Sequence, residues 1–188
     1  VNHVTSLLSK CIYLIRNLKN VVSDTVILRC YFSFFHSRMT YALFNWGHSA
    51  HMEKVFGVQR RCVRYIANIG YTDSCKESFI TLKIMTLPSI YILTCLIYVK
   101  TNQQLYTSHS KVHNYPTRHN DNLILPQLRL HKTRNGANFY GILFYNCLPQ
   151  TVRQLKLDLF KLTMKRYLIG KAFYNFNEYL NNDFSDIC

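Results

Sequence analysis

The chain has 188 residues, 48% of them hydrophobic, which is enough for one packed domain or for one domain with a small annex. This composition excludes a chain that is disordered throughout. Twenty-three Lys and Arg residues stand against nine Asp and Glu, a formal net charge of +14. Such an excess favours a polyanionic partner, with nucleic acid first and an anionic membrane surface second.

The first part of the chain has helical periodicity. Apolar residues spaced by three, four and seven predict an amphipathic helix over residues 4–18. Ser23 and Asp24 are typical of the start of a second helix, which carries Phe34 and Phe35. A short third segment is predicted over residues 39–46, with Gly47 as a left-handed C-terminal cap.

Residues 51–68 form the clearest predicted helix, with one apolar face and a separate basic face. Gly70 is its expected stop, and Ser74 with Glu77 predicts a capping box for the next helix. Pro88 then suits the first turn of a helix that runs to about Lys100.

His, Asn, Pro and Thr accumulate over residues 102–136, a composition typical of loops, with residues 123–126 and 127–130 as candidate short extended pieces. Helical patterns return over residues 137–147 and 157–169. We therefore predict a mainly all-α fold in three regions. These are a helical region at 1–101, a basic loop or linker at 102–136, and a helical C-terminal segment at 137–188.

The seven Cys residues do not indicate a disulfide framework. Their number is odd, and most lie within apolar helical patterns. No signal-peptide pattern opens the sequence, so we expect a reducing compartment, nuclear or cytoplasmic. The longest nearly apolar run, residues 90–99, is too short to cross a bilayer. Because the sequence begins with Val1, we interpret it as a segment of a longer polypeptide.

The sequence lacks the common patterns for phosphoryl transfer. Its acidic residues are scattered singly, without Asp-Asp, Asp-x-Asp or a glycine-rich phosphate loop. No GxSxG pattern supports nucleophilic catalysis. The pairs His48/His51 and His109/His113 have ligand-like spacing, but we interpret them as ordinary loop or surface histidines, since no CxxC stands nearby. We predict no catalytic residue, no metal site and no cofactor in this chain.

Two basic groups are candidates for contacts with phosphates. Arg60 and Arg64 are four residues apart on one helical surface and are flanked by Arg61 and Lys54, although a solvated helix face remains the alternative. The second group lies in the loop region, where interleaved His and Tyr residues suit base stacking and a mobile basic loop is the alternative. A late helix carries further cations that we interpret as a solvated face. The complete candidate set is Lys54, Arg60, Arg61, Arg64, Arg118, Arg129, Lys132 and Arg134, and the late-helix cations are Lys156, Lys161, Lys165 and Arg166.

Several short motifs occur in an order that resembles one family. They are Tyr41-x-x-Phe44-x-Trp46-Gly47, Gln59-Arg60-Arg61-x-x-Arg64-Tyr65-Ile66, Gly70-Tyr71-x-Asp73-Ser74-Cys75, the run from Leu82 to Tyr91, Asn114-Tyr115-x-Thr117-Arg118-x-Asn120, Tyr145-Asn146-x-Leu148-Pro149, and Phe160-Lys161 with Phe173-Tyr174. Together they resemble the region downstream of the polymerase active site in non-LTR (LINE-type) retrotransposon reverse transcriptases, in particular the jockey-like group. The ordered set, rather than any single motif, carries the resemblance.

The resemblance implies that residues 1 to about 70 correspond to the helical thumb and the rest to the C-terminal region beyond it. It implies RNA-directed DNA synthesis, with this part gripping the template–primer, either an RNA–DNA hybrid or a duplex, through its backbone. The family's Tyr-x-Asp-Asp motif and its Mg²⁺ ligands have no counterpart here, so we expect the fragment to be inactive alone and to act with the upstream palm and fingers. Two alternatives stay open. One is a stand-alone basic helical nucleic-acid-binding module, and the other, ranked lower, is a peripheral membrane protein.

Overall fold

The computed structural model describes residues 2–112, 121–126 and 136–187. These residues are mostly helical and contain one isolated β-bridge, between Ser108 and Leu123, which confirms the predicted all-α fold. The helices are α1 (Asn2–Leu18), α2 (Asp24–Cys30), α3 (Ser37–Thr40), α4 (Leu43–Trp46), α5 (Met52–Ala67), α6 (Lys76–Thr81), α7 (Leu87–Thr101), α8 (Ala137–Asn146), α9 (Gln150–Arg153), α10 (Leu157–Lys171) and α11 (Phe176–Leu180). Short 3-10 turns lie at Gln103–Leu105, His109–Lys111 and Ser185–Ile187.

The predicted second helix is longer than expected and irregular in its middle. Helices α2 and α3 are joined without a break by a π-helical turn, Tyr31–His36. The wider turn buries Tyr31 and Phe35 completely and leaves Phe32 and Phe34 partly exposed. Helix α1 packs against this turn and against α5, and it buries Leu8 and other residues of its apolar stripe.

Helix α5 has one fully buried face. Its apolar residues pack against α1, α6 and α7. Gln59 is also fully buried, and its amide joins three elements. Its Nε2 donates to the Tyr31 hydroxyl and to the Met85 carbonyl, both at 2.9 Å, and its Oε1 accepts from the Leu87 N–H at 2.8 Å. Because these bonds lie on one side of α5, they fix which face of the helix points to solvent.

Helix α7 is the central helix of the described residues. Its Pro lies in the first turn, as predicted, and the Thr86 hydroxyl caps the helix by accepting from the Ser89 N–H. Helices α8 and α10 pack directly against α7, so residues from the predicted first and third regions share contacts. The division of the chain into three regions itself stays a prediction.

Three predicted helix-capping residues or motifs are wrong. Gly47 has a right-handed φ of −64°, and the left-handed residue nearby is Ala42. A Cβ at Gly47 would overlap the buried ring of Tyr91, so close packing and not a left-handed cap requires glycine there. Helix α5 ends at a left-handed Asn68 rather than at Gly70. Helix α6 begins after Cys75 without a side-chain cap, so the capping box predicted there does not form.

Candidate nucleic-acid interface

The exposed face of α5 forms one wall of a surface groove of about 450 Å³, called here the α5 groove. This face lies opposite the buried stripe, since residues three, four and seven apart stack along one side of a helix. All four cations predicted on this helix line the groove. Its lining residues are Glu53, Lys54, Gly57, Arg60, Arg61, Arg64 and Tyr71.

Arg60 is held in place by contacts on two sides. Its Nη2 donates to Glu53 Oε1 at 2.6 Å, about two helical turns earlier. Its guanidinium carbon lies 4.8 Å from the centre of the Phe56 ring and 5.9 Å from that of the Tyr174 ring. Cation–π contacts of this kind restrain the guanidinium while leaving its other N–H groups available to a ligand.

Arg64 is oriented by the loop that follows α5. Its Nε donates to the Asp73 carbonyl at 3.0 Å. The same loop is closed by a turn in which the Asp73 N–H donates to the Gly70 carbonyl and the Gly70 N–H donates to the Asp73 carboxylate at 2.9 Å. Because Nε alone is engaged with residues that the structure describes, the two terminal nitrogens of Arg64 can still contact a phosphate.

Lys54 and Arg61 are both exposed. Neither side chain forms a hydrogen bond or an ion pair with any residue that the structure describes. The α5 groove therefore contains two arginines held by intramolecular contacts, Arg60 and Arg64. It also contains two exposed cations whose charged groups can bind an anion, Lys54 and Arg61. Among the described residues that line the groove, Glu53 alone carries a carboxylate, so this lining is strongly positive.

Gly57 lies in the middle of the exposed face of α5. A Cβ at this position would meet only Arg60 Nη2, at 3.9 Å, among the described atoms. The fold thus has room for a side chain, although glycine in a helix interior is destabilising by about 0.5–1 kcal/mol relative to alanine. The missing side chain lets a ligand approach the helix backbone between the cations.

The charges of Arg60 and Arg64 also affect Tyr174, which packs against Phe56 of α5. Burial and the hydrogen bond with the Cys75 thiol raise the pKa of the Tyr174 hydroxyl, whereas the positive charges of Arg60 and Arg64 oppose that rise. Tyr174 packs edge-on against Phe56, with ring centres 5.1 Å apart. This aromatic support ties the basic face of α5 to the C-terminal part of the chain.

The remaining predicted residues are not placed in the groove. The second basic group, Arg118, Arg129, Lys132 and Arg134, lies outside the described residues. Of the predicted late-helix cations, Lys156, Lys165 and Arg166 are exposed, as expected for a solvated face, whereas Lys161 is half-buried. Cys62 and Cys75 are buried in the core, as predicted, and burial raises the pKa of the Cys62 thiol.

Sequence reasoning missed three lining residues of the groove: Glu53, Gly57 and Tyr71. Glu53 and Gly57 could have been found from helical spacing, because they lie seven and three residues before Arg60 on the same face. Tyr71 follows the helix, and no spacing rule places its ring opposite α5.

Within residues 2–112, 121–126 and 136–187, no group of three His, Cys, Asp or Glu side chains is arranged to hold a metal ion. In the same part of the chain, no helix has both the length and the apolar character needed to cross a membrane. Comparison of the chain with protein-family models, with curated proteins and with solved structures gave no match.

Proposed function

We propose that this chain is a nucleic-acid-binding part of an RNA-directed DNA polymerase of a non-LTR retrotransposon, and that it grips the template–primer while catalysis takes place elsewhere in the enzyme. The observation that carries the proposal is the α5 groove, where the described lining brings together four cations from one helix and one carboxylate, that of Glu53. A binding site for a phosphate backbone needs such an array, because neutralised phosphates release counterions and so provide most of the affinity.

The polymerase part of the proposal rests on the ordered sequence motifs. A thumb grips its duplex by shape and backbone, so the proposal places no base-specific hydrogen bond in the α5 groove. The groove suits this role, since guanidinium groups bind phosphates irrespective of sequence. Mg²⁺ would be bound by the polymerase carboxylates and not by this chain, whose acidic residues are scattered singly.

The test is a comparison of three labelled partners with the folded chain at one salt concentration. Fluorescence anisotropy measures affinity for an RNA–DNA hybrid, for a DNA duplex of the same sequence, and for vesicles containing anionic lipid, with circular dichroism as the check on folding. The proposal predicts binding to both the hybrid and the duplex, because the groove contacts the backbone that both present, and much weaker binding to the vesicles. Failure of the folded chain to bind either nucleic acid would refute the proposal. Binding to vesicles alone would refute the proposal in favour of a peripheral membrane protein.

A further inference from the structure

Tyr71 is the most unusual residue of the α5 groove. Its side chain is 80% exposed. Its ring stacks on no other aromatic ring and lies over no cation among the residues that the structure describes. An exposed tyrosine ring on its own requires no explanation, but this one faces a groove lined by four cations.

The loop that carries Tyr71 is fixed at both ends. Before it, Asn68 is left-handed at the end of α5, and the Ile69 N–H donates to the Arg64 carbonyl. After it, Asp73 closes the turn with Gly70 and accepts from the Arg64 side chain. Tyr71 is therefore the second residue of a turn that is tied to the basic helix, and the hydrogen bonds of the turn fix the backbone from which its ring projects.

An exposed aromatic ring beside several cations is the combination of side chains found in sites that bind unpaired nucleotides. Single-stranded nucleic acid is held by cations along its backbone and by aromatic rings on which its bases stack. In a paired duplex the bases are stacked on one another, and Tyr71 could reach only the backbone. The ring therefore favours a strand whose bases are free.

We propose that the α5 groove binds a single-stranded segment, with one unpaired base stacked on Tyr71 and the adjoining phosphates held by Lys54, Arg61 and the terminal nitrogens of Arg64. This inference rests on the proposed function, since it takes nucleic acid as the ligand of the groove. It adds a preference to the grip on the duplex backbone: the same cations hold the phosphates of an unpaired strand, and the free base of that strand gains the stacking contact with Tyr71.

The experiment compares a short oligothymidylate with an abasic sugar–phosphate strand of the same length. Both are measured by anisotropy against the full chain, Tyr71→Ala, Tyr71→Phe and Tyr41→Ala. Tyr41 is the matched control, because it is 81% exposed and does not line the groove. Thermal melting checks that each variant is folded.

Tyr71→Ala is expected to weaken binding of oligothymidylate by about 5- to 150-fold, the range typical for loss of one stacked base. It leaves the affinity for the abasic strand unchanged, because that strand has no base to stack. Tyr71→Phe keeps most of the affinity and Tyr41→Ala keeps all of it.

Two results would overturn the inference while leaving the proposed function standing. In the first, Tyr71→Ala binds oligothymidylate as tightly as the unchanged chain does. In the second, Tyr71→Ala loses affinity for oligothymidylate and for the abasic strand by the same factor. If the folded chain binds neither strand and no duplex, the proposed function is wrong as well.

Discussion

Replacing Gly57 with alanine should affect stability and binding in opposite directions. The added Cβ has open space, since Arg60 Nη2 at 3.9 Å is the only described atom near it. Alanine in a helix interior is more stable than glycine by about 0.5–1 kcal/mol, which raises Tm by about 1–4 °C in a chain of this size. Gly57→Ala is therefore expected to be a stabilised protein.

Binding should weaken because the same methyl group occupies the floor of the α5 groove. Moving a phosphate from about 4 Å to about 5 Å from one cation weakens their attraction by about 0.8 kcal/mol at an effective dielectric constant near 20. Displacement from two cations predicts roughly a tenfold loss of affinity.

Calorimetry measures Tm, and anisotropy with a labelled RNA–DNA hybrid measures affinity. Gly170→Ala is the matched control, because Gly170 is also helical and a Cβ there meets no described atom within 4 Å; unlike the half-buried Gly57, it is exposed. The control should raise Tm without changing affinity. If Gly57→Ala is stabilised and binds as tightly as the unchanged chain, no ligand approaches the floor of the groove, and the reasoning is refuted.

Three further changes test other parts of the structure. Glu53→Gln removes the one carboxylate in the described lining of the α5 groove and releases Arg60, so anisotropy should show about a twofold gain in affinity. Because exposed ion pairs contribute about 0–1 kcal/mol, Tm should barely change; unchanged or weaker binding would contradict this account of the groove. Gly47→Ala forces a Cβ into the ring of Tyr91 and should lower the free energy of unfolding, measured with urea, by about 1–3 kcal/mol. A fully stable variant would show that Gly47 and Tyr91 pack less closely than described. Burial, and secondarily the charge of Lys165, lowers the pKa of His36 in the folded chain. On acidification the unfolded chain therefore binds the His36 proton at a higher pH than the folded chain does. The stability that neutral His36 provides is complete above about pH 6.5 and is lost as the pH falls through the lower folded pKa. His36→Gln should therefore show a smaller loss of Tm on acidification than the unchanged chain, and an equal loss would assign the pH dependence to other groups.

Helical spacing predicted α1 and α5 well because burial of a single stripe determines them, whereas α7, which is buried on several sides, was predicted from its apolar run and its first-turn Pro. Helices α1, α5 and α7 begin and end within about two residues of their predicted bounds. The π-helical turn Tyr31–His36 could not be predicted, since its wider hydrogen bonding leaves no distinct apolar period. Gly47 was misassigned because glycine serves close packing as well as left-handed caps, and only the position of Tyr91 distinguishes the two.

The residues of the candidate site also fall into those that the sequence predicts and those that it does not. The basic residues of α5 were predicted together because helical geometry places residues three and four apart on one face. Tyr71 depends on a turn held by hydrogen bonds among Arg64, Gly70 and Asp73, and those contacts exist only in three dimensions. The position of Tyr71 in the groove could therefore be found only from the structure, whereas the positive charge of the groove was predictable from the sequence.

The most direct test of the central claim is the salt dependence of binding to an RNA–DNA hybrid. Affinity is measured over a salt series for the unchanged chain, for the triple variant Arg60→Ala, Arg61→Ala and Arg64→Ala, and for a variant with Lys161, Lys165 and Arg166 changed to Ala. The two triple variants lose the same charge, but only the first alters the α5 groove. We expect the groove variant to bind more weakly and its log–log salt slope to flatten by about 2 to 3, since each phosphate contact contributes about 0.9 on a duplex. We expect the α10 variant to keep the original slope. Equal flattening in both variants would show that net charge alone drives binding, and would contradict the assignment of the α5 groove as the nucleic-acid interface.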